Sequence, residues 1–268
     1  MTTNDTAASA ILIHTSDTMG VHTLTLNEPR AFNVLSNAML DLLLASVERI
    51  ASDSGARVLV IEATGHAFCA GHNLKEMAAH SDLASYQKLF AKCTRFMLAL
   101  QNLPVPVIAK VQGLATAAGC QLVAQCDLAV ASDQATFGVN GIDVGLFCAT
   151  PSVPLVRNMP VKQALEMLLT GGFISAAEAK QRALVNRVVP GESLDAAVQD
   201  LVQSILAKPQ AAVAIGKALF YKQLGVGIEA AYQLASQAMA VNMMHPAAQE
   251  GVHAFIEKRK PQWPAAVR

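Results

Sequence analysis

The chain has 268 residues, 20 basic and 20 acidic side chains, and 53% hydrophobic residues. That bounds it to one large domain, or one domain with a small appendage, with ample apolar material for a core. Zero formal net charge leaves no electrostatic footprint for nucleic acid, so an anionic ligand has to be held by a few placed cations.

The N-terminal stretch MTTNDTAASA has no basic run ahead of an apolar core and no arginine. This argues against a secretory signal or a mitochondrial presequence and for a cytoplasmic location. No apolar run approaches the ~20 residues of a membrane span. Residues 10–15 and 21–26 alternate as two strands around a turn containing Gly20, which predicts a hairpin. Residues 27–33 form a loop with Pro29 and Arg30. Ser36 is placed to cap a helix running to about Ser52. Residues 57–63 read as a strand, and residues 64–73 as a loop. Residues 82–103 carry the 3.6-residue period of a long helix, which Pro104 and Pro106 end. Strands are predicted at 105–111, 127–132 and 135–138. Strand and helix in alternation imply a mainly parallel sheet with crossover helices.

From Pro160 onward the pattern turns helical. Pro160 suits the first helical position. Ser175 with Glu178 forms a capping box, and Ser193 caps another helix. Three further helices are predicted at 209–224, 227–244 and 246–258. Only Val188–Val189 reads as strand there. The expected organisation is an α/β unit over 1–159 and a helical C-terminal region over 160–268.

Two stretches carry the chemistry. In the first, Ala109–Asp127, an apolar strand passes through small residues from Gly113 to Gly119 into a short helix. Small side chains let a ligand approach the backbone, and a helix start supplies N–H groups without partners. In the second, Ala67–Met77 (AFCAGHNLKEM) follows the strand at 57–63 in the same way. Two such units can converge on one oxygen. That is the requirement of an oxyanion hole, in which fixed donors meet a developing negative charge. The five cysteines (Cys69, Cys93, Cys120, Cys126, Cys148) show no CxxC spacing and read as reduced thiols. The seven histidines show no metal-ligand pattern, and no metal is expected.

These stretches, with residues 27–33 (NEPRAFN), 106–127, 135–138 (ATFG), Gly145 and 255–261 (FIEKRKP), closely resemble the crotonase, or enoyl-CoA hydratase/isomerase, family. The runs GLATAAGCQLVAQCDLAVASD and VGLFCATP point to one subgroup within it. The resemblance covers nearly the whole chain. It implies a crotonase-like α/β fold of repeated ββα units with a helical C-terminal region used for trimer contacts. The assembly implied is a homotrimer or a hexamer built as a dimer of trimers. The ligand implied is an acyl-CoA thioester, with coenzyme A as part of the substrate and no separate cofactor.

Residue by residue, the resemblance makes the backbone N–H groups of His72 and Ala118 the oxyanion donors for the thioester carbonyl. It puts the backbone of Ala70 at the adenine and Arg30 near the phosphates. Asn73, Leu74, Lys75 and Gly119 belong to the same substrate-binding motifs. Phe255 and Lys258 match a C-terminal helix that reaches a neighbouring subunit's coenzyme.

The departure from the family pattern matters more. Family hydratases deliver water with two glutamates, and the matching positions hold Gln121 and Gly141. An amide does not titrate near neutrality and glycine has no side chain. Positioned acid–base groups typically contribute about 10²–10⁴-fold each, so hydratase activity is expected to be weak or absent. Asp143 is the nearest candidate substitute. His72 carries an imidazole at a backbone-donor position, and Cys148 lies on the segment that faces the acyl chain in the family. The expectation is a thioester binder that is either silent or capable of chemistry needing only enolate stabilisation, such as decarboxylation of malonyl-type thioesters. Two alternatives stand beside it: an active 2-enoyl-CoA hydratase or isomerase of fatty-acid oxidation, and a non-enzymatic oligomeric scaffold.

Overall fold

The computed structural model describes residues 10–264. Strands β1 (Leu12–Ser16) and β2 (Val21–Leu26) form the antiparallel hairpin. Its turn requires glycine: Gly20 has φ +81°, and a Cβ there would lie 2.0 Å from the Gly55 carbonyl oxygen. Helix α1 (Asn37–Ser52) starts where Ser36 predicts, with the Ser36 hydroxyl accepting the Met39 N–H.

From here the chain repeats one unit. Strand β3 (Val58–Ala63) is followed by short β4 (Ala67–Cys69) and helices α2 (Leu74–Ala79) and α3 (Leu83–Asn102). Strand β5 (Val107–Val111) is followed by β6 (Leu114–Thr116) and α4 (Ala118–Gln125). Strand β7 (Leu128–Ser132) is followed by β8 (Thr136–Gly138) and α5 (Ala149–Asn158). Helix α6 (Val161–Thr170), β9 (Ile174–Ser175), α7 (Ala176–Gln181), β10 (Arg187–Val189) and α8 (Leu194–Leu206) complete this part. Helices α9 (Gln210–Gln223), α10 (Ile228–Met243) and α11 (Pro246–Ile256) close the chain.

The first strand of each unit enters one sheet, of order β1-β2-β3-β5-β7-β10, and the second strand enters another, of order β4-β6-β8-β9. This is the repeated ββα fold. The inner strands are parallel and read as largely apolar runs, such as VLVI at the start of β3, because both faces are covered. Phe68, Phe96 and Phe137 fill the core. The short sheet is what positions the site. Its register sets Cys69 beside Ala115 and Ala115 beside Phe137, so the loops after β4, β6 and β8 leave it side by side.

The structure differs from the sequence expectation at several points past residue 147. Helix α5 was not predicted. Strand β10 falls where Val188–Val189 read as strand, whereas β9 was not predicted; both lie beyond residue 160 and complete the two sheets. Pro160 is the N-cap of α6 rather than its first residue, because its ψ of 132° is extended. Ser193 precedes α8 at the end of a 3-10 turn and makes no side-chain cap bond. The Ser175–Glu178 capping box is present.

Helices α9 and α10 bury no residue in the single chain. Phe220, Ile228, Tyr232, Met239, Met243 and Met244 are exposed on them and on the turn that follows. One buried ion pair ties α9 to the sheet. Lys217 Nζ donates to Asp127 Oδ2 at 2.7 Å and to the carbonyls of Leu100 and Val105, both at 2.9 Å. Tyr221 and the Val107 N–H also donate to Asp127. No helix among the described residues is long and apolar enough to cross a membrane.

Candidate active site

The loop after β4 turns sharply at Gly71, where φ is +92°. It is sewn to the segment before α1: Leu35 N–H donates to Gly71 O at 2.7 Å and Ala70 N–H to Phe32 O at 3.0 Å. The loop after β6 contains Ala117, a non-glycine residue with φ +49°. Such backbone strain costs on the order of 1–3 kcal/mol and gathers at functional sites. It is held by the Ala117 N–H donating to Gly138 O at 3.0 Å. Ala118 then opens α4, so its N–H has no acceptor within the helix.

The two loops touch. A Cβ on Gly71 would lie 2.8 Å from Ala117 Cβ and 3.2 Å from Ala118 N. A Cβ on Gly119 would lie 2.0 Å from Cys69 O. Glycine at both places lets the loops close on each other.

They form one side of a cavity of about 330 Å³. Ala70, His72, Ala117 and Ala118 line that side, and Gly141, Leu146, Phe147 and Cys148 line the other. No lining residue carries a carboxylate; His72 and Cys148 are the titratable groups there.

The His72 ring makes a T-shaped contact with Phe90, centroids 5.6 Å apart. Its Nδ1 lies 3.3 Å from Leu35 O. A carbonyl oxygen only accepts, so Nδ1 carries the proton and Nε2 presents a lone pair. That Nε2 is buried and has no partner among the described residues. Burial holds the His72 pKa below the ordinary histidine value, against an opposing effect of the Leu35 carbonyl. His14 is lowered too, by burial first and then by neighbouring His22 and Arg49. A histidine depressed in the folded state contributes stability that is complete above its unfolded pKa of about 6.5. That stability drains away as the pH falls from there through the folded value. The melting temperature is therefore expected to drop on acidification from pH 7 to pH 5, and replacing His72 by glutamine should lessen the drop. Thermal melts across that range check this.

The Cys148 thiol is buried, and burial raises its pKa, partly offset by a hydrogen bond from the Gly141 backbone. Cys69, Cys93 and Cys120 are pushed by burial to about 12. All five cysteines are unpaired.

The two positions that the resemblance matches to the family's glutamates are built differently from each other. Gln121 is 4% exposed, one turn along α4 from Ala118, and its Oε1 has no partner among the described residues. Gly141 lines the cavity, but a Cβ there would meet Leu146 O at 2.5 Å and Cys148 Sγ at 2.7 Å. The loop has closed over the place where a side chain would start. Asp143 is exposed and does not line the cavity. Its carboxylate lies against Gly171 at the end of α6, where a Cβ would be 2.8 Å from Oδ1.

A family model described as enoyl-CoA hydratase/isomerase matches residues 16–266. The chain belongs to the enoyl-CoA hydratase/isomerase family. A mouse protein named enoyl-CoA hydratase domain-containing protein 3, mitochondrial, is 47% identical over 244 residues, 91% of this chain and 81% of its own. This is the subgroup marked by the two runs in residues 113–133 and 144–151. A solved structure titled enoyl-CoA hydratase, from Mycobacterium smegmatis, is 57% identical and superposes with a TM-score of 0.94. It covers 95% of this chain and 99% of that one. The human enoyl-CoA hydratase domain-containing protein 3 structure is 43% identical with a TM-score of 0.91, over 95% and 100% of the two chains. The relatives' names correct one expectation: the mouse, rat, frog and human proteins are all named mitochondrial, which contradicts the cytoplasmic location read from the N-terminal composition.

In this enoyl-CoA hydratase/isomerase family member the remaining residues of interest are dispersed. Arg30 is exposed on the 3-10 turn Pro29–Ala31, beside the Phe32 carbonyl that binds Ala70. Asn73 caps α2, accepting from the N–H groups of Lys75 and Glu76. Leu74 lines the cavity and Lys75 is exposed. Phe255, 85% exposed, and Lys258 lie at the end of α11 and do not line the cavity of this chain. Sequence reasoning passed over Phe90, Met77 and Asn140, which do line it. Thr116 donates to Asn140 Oδ1 at 2.7 Å, tying the β6 loop to the turn after β8. A core-facing helical period was the available signal for Phe90, and it did not distinguish a cavity wall from a core position.

Proposed function

We propose that this protein binds an acyl-CoA thioester, places the thioester oxygen on the N–H groups of His72 and Ala118, and lacks the acid–base pair needed to hydrate a double bond. The observation that carries this reading is a cavity bounded by both backbone loops and lined by no carboxylate. Neutral His72, with its proton committed to Leu35, cannot act as the acid, and the Cys148 thiol is held protonated by burial. Fixed N–H donors still stabilise an enolate.

Decarboxylation of a malonyl-type thioester fits such a site. Carbon dioxide leaves, the electron pair of the broken C–C bond becomes the enolate, and a proton from water restores the thioester. No protein base takes part. Arg30, Ala70, Asn73, Leu74, Lys75 and Gly119 are proposed to bind the coenzyme side of the ligand. The exposed apolar faces of α9 and α10 support assembly into a trimer or a dimer of trimers, which would bring Phe255 and Lys258 to a neighbouring site.

The test is calorimetric titration of the full chain with butyryl-CoA. Saturable binding below millimolar concentration supports the reading. No binding at millimolar thioester overturns it and favours a scaffold.

A further inference from the structure

A second, smaller cavity of about 170 Å³ lies beside the first, bounded by α2, α3 and the start of α1. Its walls mix polar side chains, Asn37, Glu76, Ser85 and Lys88, with apolar surface from Met77, Tyr86 and Leu89. Met77 is the one residue that lines both cavities. Resting on the thioester reading above, we propose that the Met77 side chain is the partition that ends the acyl cavity and sets the length of acyl chain the protein accepts.

The backbone beneath Met77 is fixed. Asn73 caps α2, and Met77 N–H donates to Asn73 O at 3.1 Å. Glu76 Oε2 accepts from the Asn37 backbone N–H at 3.0 Å and from Asn37 Nδ2 at 3.3 Å, which pins α2 to the start of α1. The side chain itself packs on the core cluster, but methionine is unbranched and adaptable. The partition therefore rests on side-chain atoms alone. An alkyl chain that stops short of Met77 is enclosed by apolar walls such as Phe90 and Leu146. A longer chain has to push Met77 off the core cluster before its extra methylenes can enter the second cavity, and that displacement offsets what their burial gains. The class favoured is a thioester with a short apolar acyl group.

The experiment is calorimetric titration of the full chain, native, Met77→Ala and Met77→Leu, with butyryl-CoA and decanoyl-CoA. Opening the partition joins the two cavities. Hydrophobic pockets distinguish methylenes by about 10-fold or more, so Met77→Ala is expected to raise affinity for decanoyl-CoA relative to butyryl-CoA by about tenfold. Met77→Leu is expected to keep the native ratio. An unchanged ratio in Met77→Ala, with butyryl-CoA still bound, overturns the partition and leaves the thioester reading standing. Loss of butyryl-CoA binding in Met77→Ala but not in Met77→Leu also overturns it, because the side chain would then be holding the thioester. If the native protein binds neither thioester, both readings fall.

Discussion

Replacing Lys217 by alanine is expected to destabilise the protein by about 3–5 kcal/mol, the usual cost of removing one partner from a buried ion pair. The Lys217 side chain is 7% exposed and that of Asp127 15%. Burial pulls the Lys217 pKa down while the Asp127 charge opposes it. Without the ammonium, Asp127 keeps only the Val107 N–H and the Tyr221 hydroxyl, and the carbonyls of Leu100 and Val105 lose a charged donor. The loss falls on the junction between α9, α3 and the start of β5. Urea unfolding should show a lower midpoint with an unchanged slope. A midpoint equal to the native one would mean that water replaces Lys217 without cost.

Gly71→Ala is expected to damage the site more than the fold. The added methyl group meets Ala117 Cβ at 2.8 Å, Thr116 O at 3.3 Å and Ala118 N at 3.2 Å, on a backbone with φ +92°. Relief requires the two loops to separate, which takes the His72 and Ala118 N–H groups off the common target proposed for them. Losing both hydrogen bonds, at about 1 kcal/mol each, weakens binding by more than about tenfold. Titration with butyryl-CoA should therefore show at least about tenfold weaker binding. Gly145→Ala isolates the strain, because Gly145 has φ +79° and nothing within 4 Å of its added Cβ. Both variants should lose stability, with Gly71→Ala losing more. Equal thioester affinity in Gly71→Ala and native protein would remove the paired-loop site from consideration.

How much of this was legible in the sequence depends on how local each feature is. The strand–helix alternation was readable because buried parallel strands are continuous apolar runs; the ββα repeat came only through the family resemblance, because β4 and β6 have three residues each. Caps at Ser36 and Ser175 are local chemistry and stand as read. Strand β9 has two residues, too few to show a period. The pairing of Lys217 with Asp127 spans 90 residues, and no spacing rule reaches that far. Gly141 was readable as a missing side chain, but not as a closed position. That follows from Leu146 N–H folding back onto Gly141 O at 2.9 Å. The direction of Asp143 depends on the same loop, which turns its carboxylate toward α6 and away from the cavity.

Closure at Gly141 also separates the two proposed glutamate positions experimentally. Gln121→Glu changes an amide to a carboxylate of the same shape. Gly141→Glu has to displace the Leu146 carbonyl before any side chain fits. A double substitution is thus expected to recover less hydratase activity than its chemistry alone would give.

The central claim is that this family member retains the thioester site without the machinery for hydration. The most direct measurement is the rate of crotonyl-CoA hydration by the native protein, followed as loss of enoyl-thioester absorbance. A rate at background is expected under conditions where butyryl-CoA binds. Turnover at the ~1–10³ s⁻¹ of ordinary enzymes would contradict the claim, and would mean that a base, either the His72 Nε2 lone pair or a group outside the cavity-lining residues, serves the substrate.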